Sequence, residues 1–242
     1  MYAIDIQGLS KQYGKTLAVD NLTLQVPEGG LLSLLGVNGA GKTTTVKMLS
    51  CLTRPTAGDA LLLGKSIRRD AAAVKSMIAV SPQETAIAAG LTARENLELM
   101  CGVHGLPKEK QENKIRELTE LLNLNSIMDR KAGKLSGGWQ RRLSIAMALI
   151  SEPKILFLDE PTLGLDVLAR AELWRIISEL KGRVTVILTT HYMEEAEALS
   201  DRVAIMKEGR LLVCDTPQNI KKSAQTDSFE QAFIRTVQGV NV

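Results

Sequence analysis

The octet GVNGAGKT, running from Gly36 to Thr43, constrains this fold more than any other stretch. Just before it, LLSLL (Leu31–Leu35) is an apolar run of the kind shown by a strand covered on both faces. Just after it, in TTTVKMLSCL, Val46, Leu49 and Leu52 recur at helical spacing. A glycine loop between a buried strand and a helix brings successive backbone N–H groups close together without Cβ clashes. The helix aims its positive end and unpaired N–H groups at the same point. Lys42 supplies a full charge for terminal phosphates, and the Thr43 hydroxyl suits Mg²⁺, which prefers oxygen ligands. The octet therefore predicts a nucleoside triphosphate site on an α/β scaffold.

The surrounding patterns extend that scaffold. NLTLQV places Leu22, Leu24 and Val26 on one face, as in a half-buried antiparallel strand. Gly58–Gly64 reads as another strand of the same sheet. From about residue 84 to 150 the texture turns helical. Ile115, Leu118, Leu121 and Leu122 form an apolar stripe behind Pro107, which stands where a helix start would place it. Buried strands return as ILFLD (Ile155–Asp159), VTVILTT (Val184–Thr190) and RVAIM (Arg202–Met206), with helices between. KKSAQTDS, near residue 225, reads as a flexible link to a last short helix.

Composition excludes several classes. With 242 residues, 45% hydrophobic and 24% charged, the chain suits one large α/β domain. A net charge of +3 gives no basis for a nucleic-acid partner. Cys51, Cys101 and Cys214 are scattered, which predicts reduced thiols and not a disulfide or zinc framework. MYAIDIQGLS lacks a basic region followed by an apolar core, so no secretory signal is expected. No stretch is apolar for long enough to span a bilayer, so a membrane role would run through a partner on the cytoplasmic side.

Two further segments carry chemistry. KILFLDEP ends a buried strand in Asp159 and Glu160, and the carboxyl end of such a strand is where ligands bind. Asp159 is placed to hold Mg²⁺ opposite Thr43. In LSGGWQRR, Ser136 suits an N-cap, and Gly137 and Gly138 open backbone N–H groups at a helix start, a second anion cradle.

Taken in order, GVNGAGKT, SPQE around Gln83, LSGGWQRR, ILFLDEPTLGLD and TTH ending at His191 resemble the ATP-binding subunits of ABC transporters. The resemblance runs from Tyr13 to about residue 215. It implies a P-loop NTPase core (about 1–83 and 151–215) with a mostly parallel sheet and an N-terminal antiparallel β subdomain. An inserted α-helical subdomain (about 84–150) and a tail with short helices (216–242) complete it. It also implies that Gly36, Val37, Asn38, Gly39, Ala40, Gly41, Lys42, Thr43 and Thr44 cradle ATP, and that Tyr13 stacks on adenine. Gln83 would join Thr43 and Asp159 around Mg²⁺ and couple the site to a membrane partner. Glu160 would polarise or deprotonate the attacking water, with His191 contacting the γ-phosphate and Lys42 serving catalysis. Ser136, Gly137 and Gly138 would cover ATP held by a second chain in a head-to-tail dimer, with Ser136, Gly138 and Asp166 at the seam.

The chain departs from the family pattern at Trp139, where glutamine is common, and at Leu163, where small or polar residues are usual. Both leave the phosphate and metal groups intact but bear on the seam, and so on whether the partner is a second copy or a similar subunit. The implied function is an ATPase that powers a separate permease, exporting drug-like or lipid-like cargo. A soluble ABC-type ATPase acting on nucleic acid, ribosomes or cofactor assembly, or an importer subunit, remains the alternative. A single cassette without a long coiled coil argues against several of the soluble versions.

Overall fold

The computed structural model describes residues 1–239. Its first sheet is an antiparallel hairpin of β1 (Tyr2–Tyr13) and β2 (Thr16–Pro27), extended beyond β1 by β4 (Ala57–Leu62) and β5 (Lys65–Ser66). The second sheet is built from β3 (Leu31–Leu35), β6 (Ile78–Ser81), β7 (Ile155–Asp159), β8 (Thr185–Thr190), β9 (Arg202–Lys207) and β10 (Arg210–Asp215). Its order is β10-β9-β3-β8-β7-β6, and every pairing is parallel except that of the edge strand β10.

All five residues of β3 and of β7 are buried, which explains why these segments read as continuous apolar runs. Side chains still alternate across the sheet. Leu156 and Leu158 enter one hydrophobic cluster, while Ile155 and Phe157 enter another on the opposite face. The second of these faces packs on α1 (Lys42–Leu49) and on the antiparallel hairpin, through Leu34, Met48 and Ile187. The first packs on α5 (Gly137–Leu149) and α6 (Val167–Leu180).

Between β6 and β7 lie α3 (Ala93–Val103), α4 (Lys108–Leu121) and α5. A capping box starts α3: Glu95 N–H donates to Thr92 Oγ1 at 3.2 Å, and Thr92 N–H donates to Glu95 Oε2 at 2.7 Å. The apolar stripe of α4 behaves as expected, with Ile115, Leu118 and Leu122 buried, Leu121 partly so and Pro107 at the N-cap. These helices have no core of their own, because Leu97, Ile115 and Leu118 share one cluster with Leu156 and Leu188. The short α2 (Ala71–Lys75) precedes β6, and α7 (Met193–Leu199), α8 (Pro217–Ser223) and α9 (Phe229–Gln238) close a third cluster around Leu35, Val203 and Ile205.

Two expectations need correction. The helix after the glycine loop ends at Leu49, and Leu52 lies beyond it, 67% exposed. Cys51 takes a left-handed φ of 56°, and Leu52 N–H folds back onto Lys47 O at 2.9 Å, closing the helix. KKSAQTDS is not an unstructured link. Lys221–Ser223 belong to α8, and Arg235 donates to the Ala224 and Gln225 carbonyls at 2.6 and 3.1 Å, fastening the turn that follows. The last part of the expected tail, residues 240–242, lies outside the described residues.

Phe157 is the largest fully buried side chain. Phe157→Ala should destabilise the fold by about 3–5 kcal/mol, read as a drop in the denaturant midpoint. A loss below about 1 kcal/mol would mean that this face of the sheet is not close-packed.

Candidate functional site

The parallel register brings three loops to one edge of the second sheet. Leu35 pairs with Thr190, and Thr189 pairs with Asp159, so Gly36, Glu160 and His191 leave β3, β7 and β8 side by side. This is the carboxyl edge of the parallel strands, the usual place for a ligand crevice. A cleft of about 700 Å³ opens there, lined by the loop from Asn38 through Thr44, by Gln83, Glu160 and His191, and by Leu163.

The loop can take its shape only because of glycine at Gly41. Its φ is 100°, and a Cβ there would stand 2.6 Å from the Ala18 carbonyl. That conformation starts α1 directly behind the loop, so the unpaired N–H groups of its first turn face the cleft. Lys42 curls back into the loop. Its Nζ donates to Gly36 O at 2.6 Å and lies 3.5 Å from Glu160 Oε1.

The Asp159 carboxylate and the Glu160 backbone are held by a residue that sequence reasoning missed. Thr189 Oγ1 donates to Asp159 Oδ1 and accepts from Glu160 N–H at 3.0 Å. One buried hydroxyl thus fixes two neighbouring acids. Glu160 itself sits at φ 47°, in the left-handed region that a non-glycine residue occupies only when its surroundings demand it. This turn sends its carboxylate away from that of Asp159 and toward His191, whose Nδ1 is 2.8 Å from Glu160 Oε2. On the other side, Thr43 Oγ1 donates to Asp159 Oδ1 at 3.3 Å. A hydroxyl and a carboxylate converging beside a phosphate-sized cradle fit Mg²⁺, which takes oxygen ligands and keeps several from water and phosphate. Among the described residues no cluster of three or more His, Cys, Asp or Glu gathers, so protein ligation here would rest on few oxygens.

Other expected residues are placed elsewhere. Gly36 is buried behind the loop, and Val37 is exposed outside the cleft lining. Tyr13 ends β1 and is 47% exposed. It pairs with Thr16, which does line the cleft, while Lys11 Nζ sits 4.8 Å from the tyrosine ring centre. Thr16, Leu17, Ala18 and Glu208 complete the lining. Nothing local in the sequence marks them, because they arrive from β2 and from the β9–β10 turn. Thr189 did carry a signal, as a polar residue inside a fully buried strand.

Ser136, Gly137 and Gly138 stand at the start of α5 and do not line this cleft. Ser136 holds the N-cap position, yet its exposed hydroxyl makes no capping bond. Gly138 has a packing reason, since a Cβ there would meet Ala169 Cβ at 2.9 Å. Asp166 is exposed and caps α6, accepting from Ala169 N–H at 2.8 Å. Trp139 is turned into the fold, with the Arg142 guanidinium stacked 3.7 Å over its ring and reaching Glu172 at 3.7 Å.

Comparison with known proteins fits this geometry. The ABC transporter family profile matches residues 19–163, more than half of the chain. The chain belongs to the ABC transporter ATP-binding family. It is 40% identical over 230 residues to the daunorubicin resistance ATP-binding protein DrrA2 of Streptomyces coeruleorubidus, covering 95% of this chain and 71% of that protein. It is 38% identical over 240 residues to the probable multidrug ABC transporter ATP-binding protein YbhF of Escherichia coli (strain K12), of which it spans only 41%. A solved ATP-binding subunit of an ABC transporter superposes with a TM-score of 0.85 over 97% of this chain at 26% identity. The fold alone is shared with cbiO1 of Clostridium perfringens, with a TM-score of 0.84 at 24% identity. ABC ATP-binding domains are ATPases, and their fold is the α/β P-loop NTPase fold expected from the octet.

Behind the site of this ABC domain lies a third acid, Glu195. It is buried on α7, and Trp174 Nε1 donates to its Oε1 at 3.1 Å. Burial raises its pKa above the usual carboxylate range, partly offset by the hydrogen bond from Trp174, while the charge of Glu160 raises it further. Because the folded state keeps this proton to higher pH than the unfolded chain, its contribution is full at low pH. It is lost as pH rises from the ordinary carboxylate pKa through the raised one. Glu195→Gln should therefore gain thermal stability relative to wild type between pH 5 and pH 8. An equal difference in Tm at both values would show that Glu195 titrates normally.

Proposed function

We propose that this chain binds Mg·ATP in the cleft, pairs head to tail with a second ATP-binding subunit, and powers a separate membrane permease. One observation carries the reading: the Lys42 cradle, Thr43 and the Glu160–His191 pair line a single cleft, with Asp159 hydrogen-bonded to Thr43, while the Ser136 loop stands outside it. A free serine hydroxyl at an exposed helix start can receive an anion held by another chain. A twofold pairing supplies one to each chain.

Within the cleft, the N–H groups from Asn38 to Thr44 and the Lys42 ammonium bind the β- and γ-phosphates. Thr43 and Asp159 would hold Mg²⁺, with Gln83 beside them, and when bound it neutralises phosphate charge and orients the terminal group. Glu160 is placed to take the proton of the attacking water, and its contacts with His191 and Lys42 fix the carboxylate that does so. His191 keeps its second ring nitrogen for the γ-phosphate. Tyr13, at the rim beside Thr16, offers its face to the base. Closure around ATP and release after hydrolysis then give a mechanical stroke.

The stroke needs a membrane partner, since among the described residues no helix is long and apolar enough to cross a bilayer. We place the chain on the cytoplasmic face of the membrane. The named relatives act in daunorubicin resistance and multidrug transport, which supports export of a hydrophobic, drug-like cargo.

Glu160→Gln should retain ATP binding while turnover falls by about two to four orders of magnitude, and light scattering should then show a stable ATP-dependent dimer. Adding Ser136→Arg should abolish that dimer without unfolding the monomer. A dimer that survives the arginine would rule out the proposed seam. The tagged chain should co-purify from detergent-solubilised membranes with a stoichiometric multi-span protein. A soluble or ribosomal partner in its place would defeat the transporter reading and leave the ATPase chemistry standing.

A further inference from the structure

Arg141 lies one turn into α5, only 5% exposed, and the catalytic chemistry makes no use of it. Its guanidinium reaches across to the segment after β6. Nη1 donates to Pro82 O at 2.5 Å, and Nη2 donates to the Gln83 carbonyl. Among the described residues no carboxylate stands within ion-pair distance of it. Burial lowers its pKa, opposed by the nearby negative charge of Asp159. A buried guanidinium that satisfies only backbone carbonyls is costly, and an apolar side chain of similar volume would pack as well. What the charge adds is two strong bonds that fix the Pro82–Gln83 backbone.

Neighbouring contacts make α5 and this segment one body. One turn further along α5, Ser144 Oγ lies 3.1 Å from Ser81 Oγ, both buried at the end of β6. Beyond Gln83, Asn96 accepts from Ala88 N–H at 2.8 Å and donates to its carbonyl at 3.1 Å, fastening the far side to α3. The Gln83 carboxamide makes no hydrogen bond of its own among the described residues, so its place at the cleft is set by its backbone.

We propose that Arg141 is a positioning residue that ties Gln83 to the helix bearing the Ser136 loop. A shift of α5 on engagement of Ser136 then moves Gln83 relative to Thr43 and Asp159. The signature loop and the metal side of the same chain's cleft are thereby coupled through one guanidinium. This inference rests on the reading of Gln83 as a metal-facing group.

The test is a double-mutant cycle in the full-length chain carrying Glu160→Gln and saturated with ATP. The readout is Mn²⁺ affinity by electron paramagnetic resonance. Gln83→Ala and Arg141→Met should each weaken Mn²⁺ binding about tenfold, the scale of losing an outer support of a metal ligand. The double variant should be no weaker than Gln83→Ala alone, because both changes remove the same contact. Arg141→Lys, which keeps the charge but not the fork, should fall between and also guards against misfolding of the methionine variant, checked by thermal melting. Unchanged Mn²⁺ affinity in Arg141→Met beside a loss in Gln83→Ala, or effects that simply add, would overturn the coupling while sparing the site. No change in Gln83→Ala would overturn it together with the metal role of Gln83. Absence of Mn²⁺ binding by the parent would overturn the proposed metal site at Thr43 and Asp159, and the coupling with it.

Discussion

Everything in this molecule depends on the register of three buried parallel strands, β3, β8 and β7. Because side chains alternate along a strand, a slip of one residue would send Phe157 to the wrong face and turn Asp159 away from Thr43. Dense packing on both faces forbids that slip, with Leu156 and Leu158 on one side and Ile155 and Phe157 on the other. The apolar core thus sets the position of the carboxylates at its edge to within a hydrogen bond. Thr189 is where the two requirements meet, as a core position on β8 whose hydroxyl bonds the Asp159 carboxylate and the Glu160 backbone N–H.

Local cost collects around this edge. Glu160 occupies a left-handed backbone conformation, Glu195 is a buried acid behind it, and Arg141 is a buried guanidinium with no counter-ion in contact among the described residues. Selection for stability alone would favour glycine at Glu160 and apolar side chains at Glu195 and Arg141. Their clustering within reach of one cleft is what a site built for charge handling looks like. Trp139 shows the converse. At the signature position where the family pattern leads one to expect glutamine, this chain uses a ring for packing, stacked under Arg142 and joined through it to α6.

Much of the site was legible because its chemistry is local in sequence. The glycine loop, the acidic pair ending an apolar strand and the serine-glycine helix start each carry their meaning within a few residues. The stripe of Ile115, Leu118 and Leu122 gave α4 for the same reason. Misreadings fell where a single backbone torsion or a tertiary contact outweighs pattern. Cys51 turns left-handed and ends α1 before Leu52 can join its buried face, and Arg235 fastens a turn whose composition suggests a flexible link.

The sequence by itself determined the α/β class, the order of strands and helices, and the residue types proposed to meet phosphate, metal and water. Hydrophobic period and turn chemistry act over a few residues and can be read directly. Tertiary structure alone decided that Thr16, Leu17, Ala18 and Glu208 wall the cleft, that Thr189 fixes the acids, and that Arg141 grips Gln83. Those contacts join residues far apart in the chain. Their geometry follows from how two sheets and a helical layer pack, which no local pattern encodes.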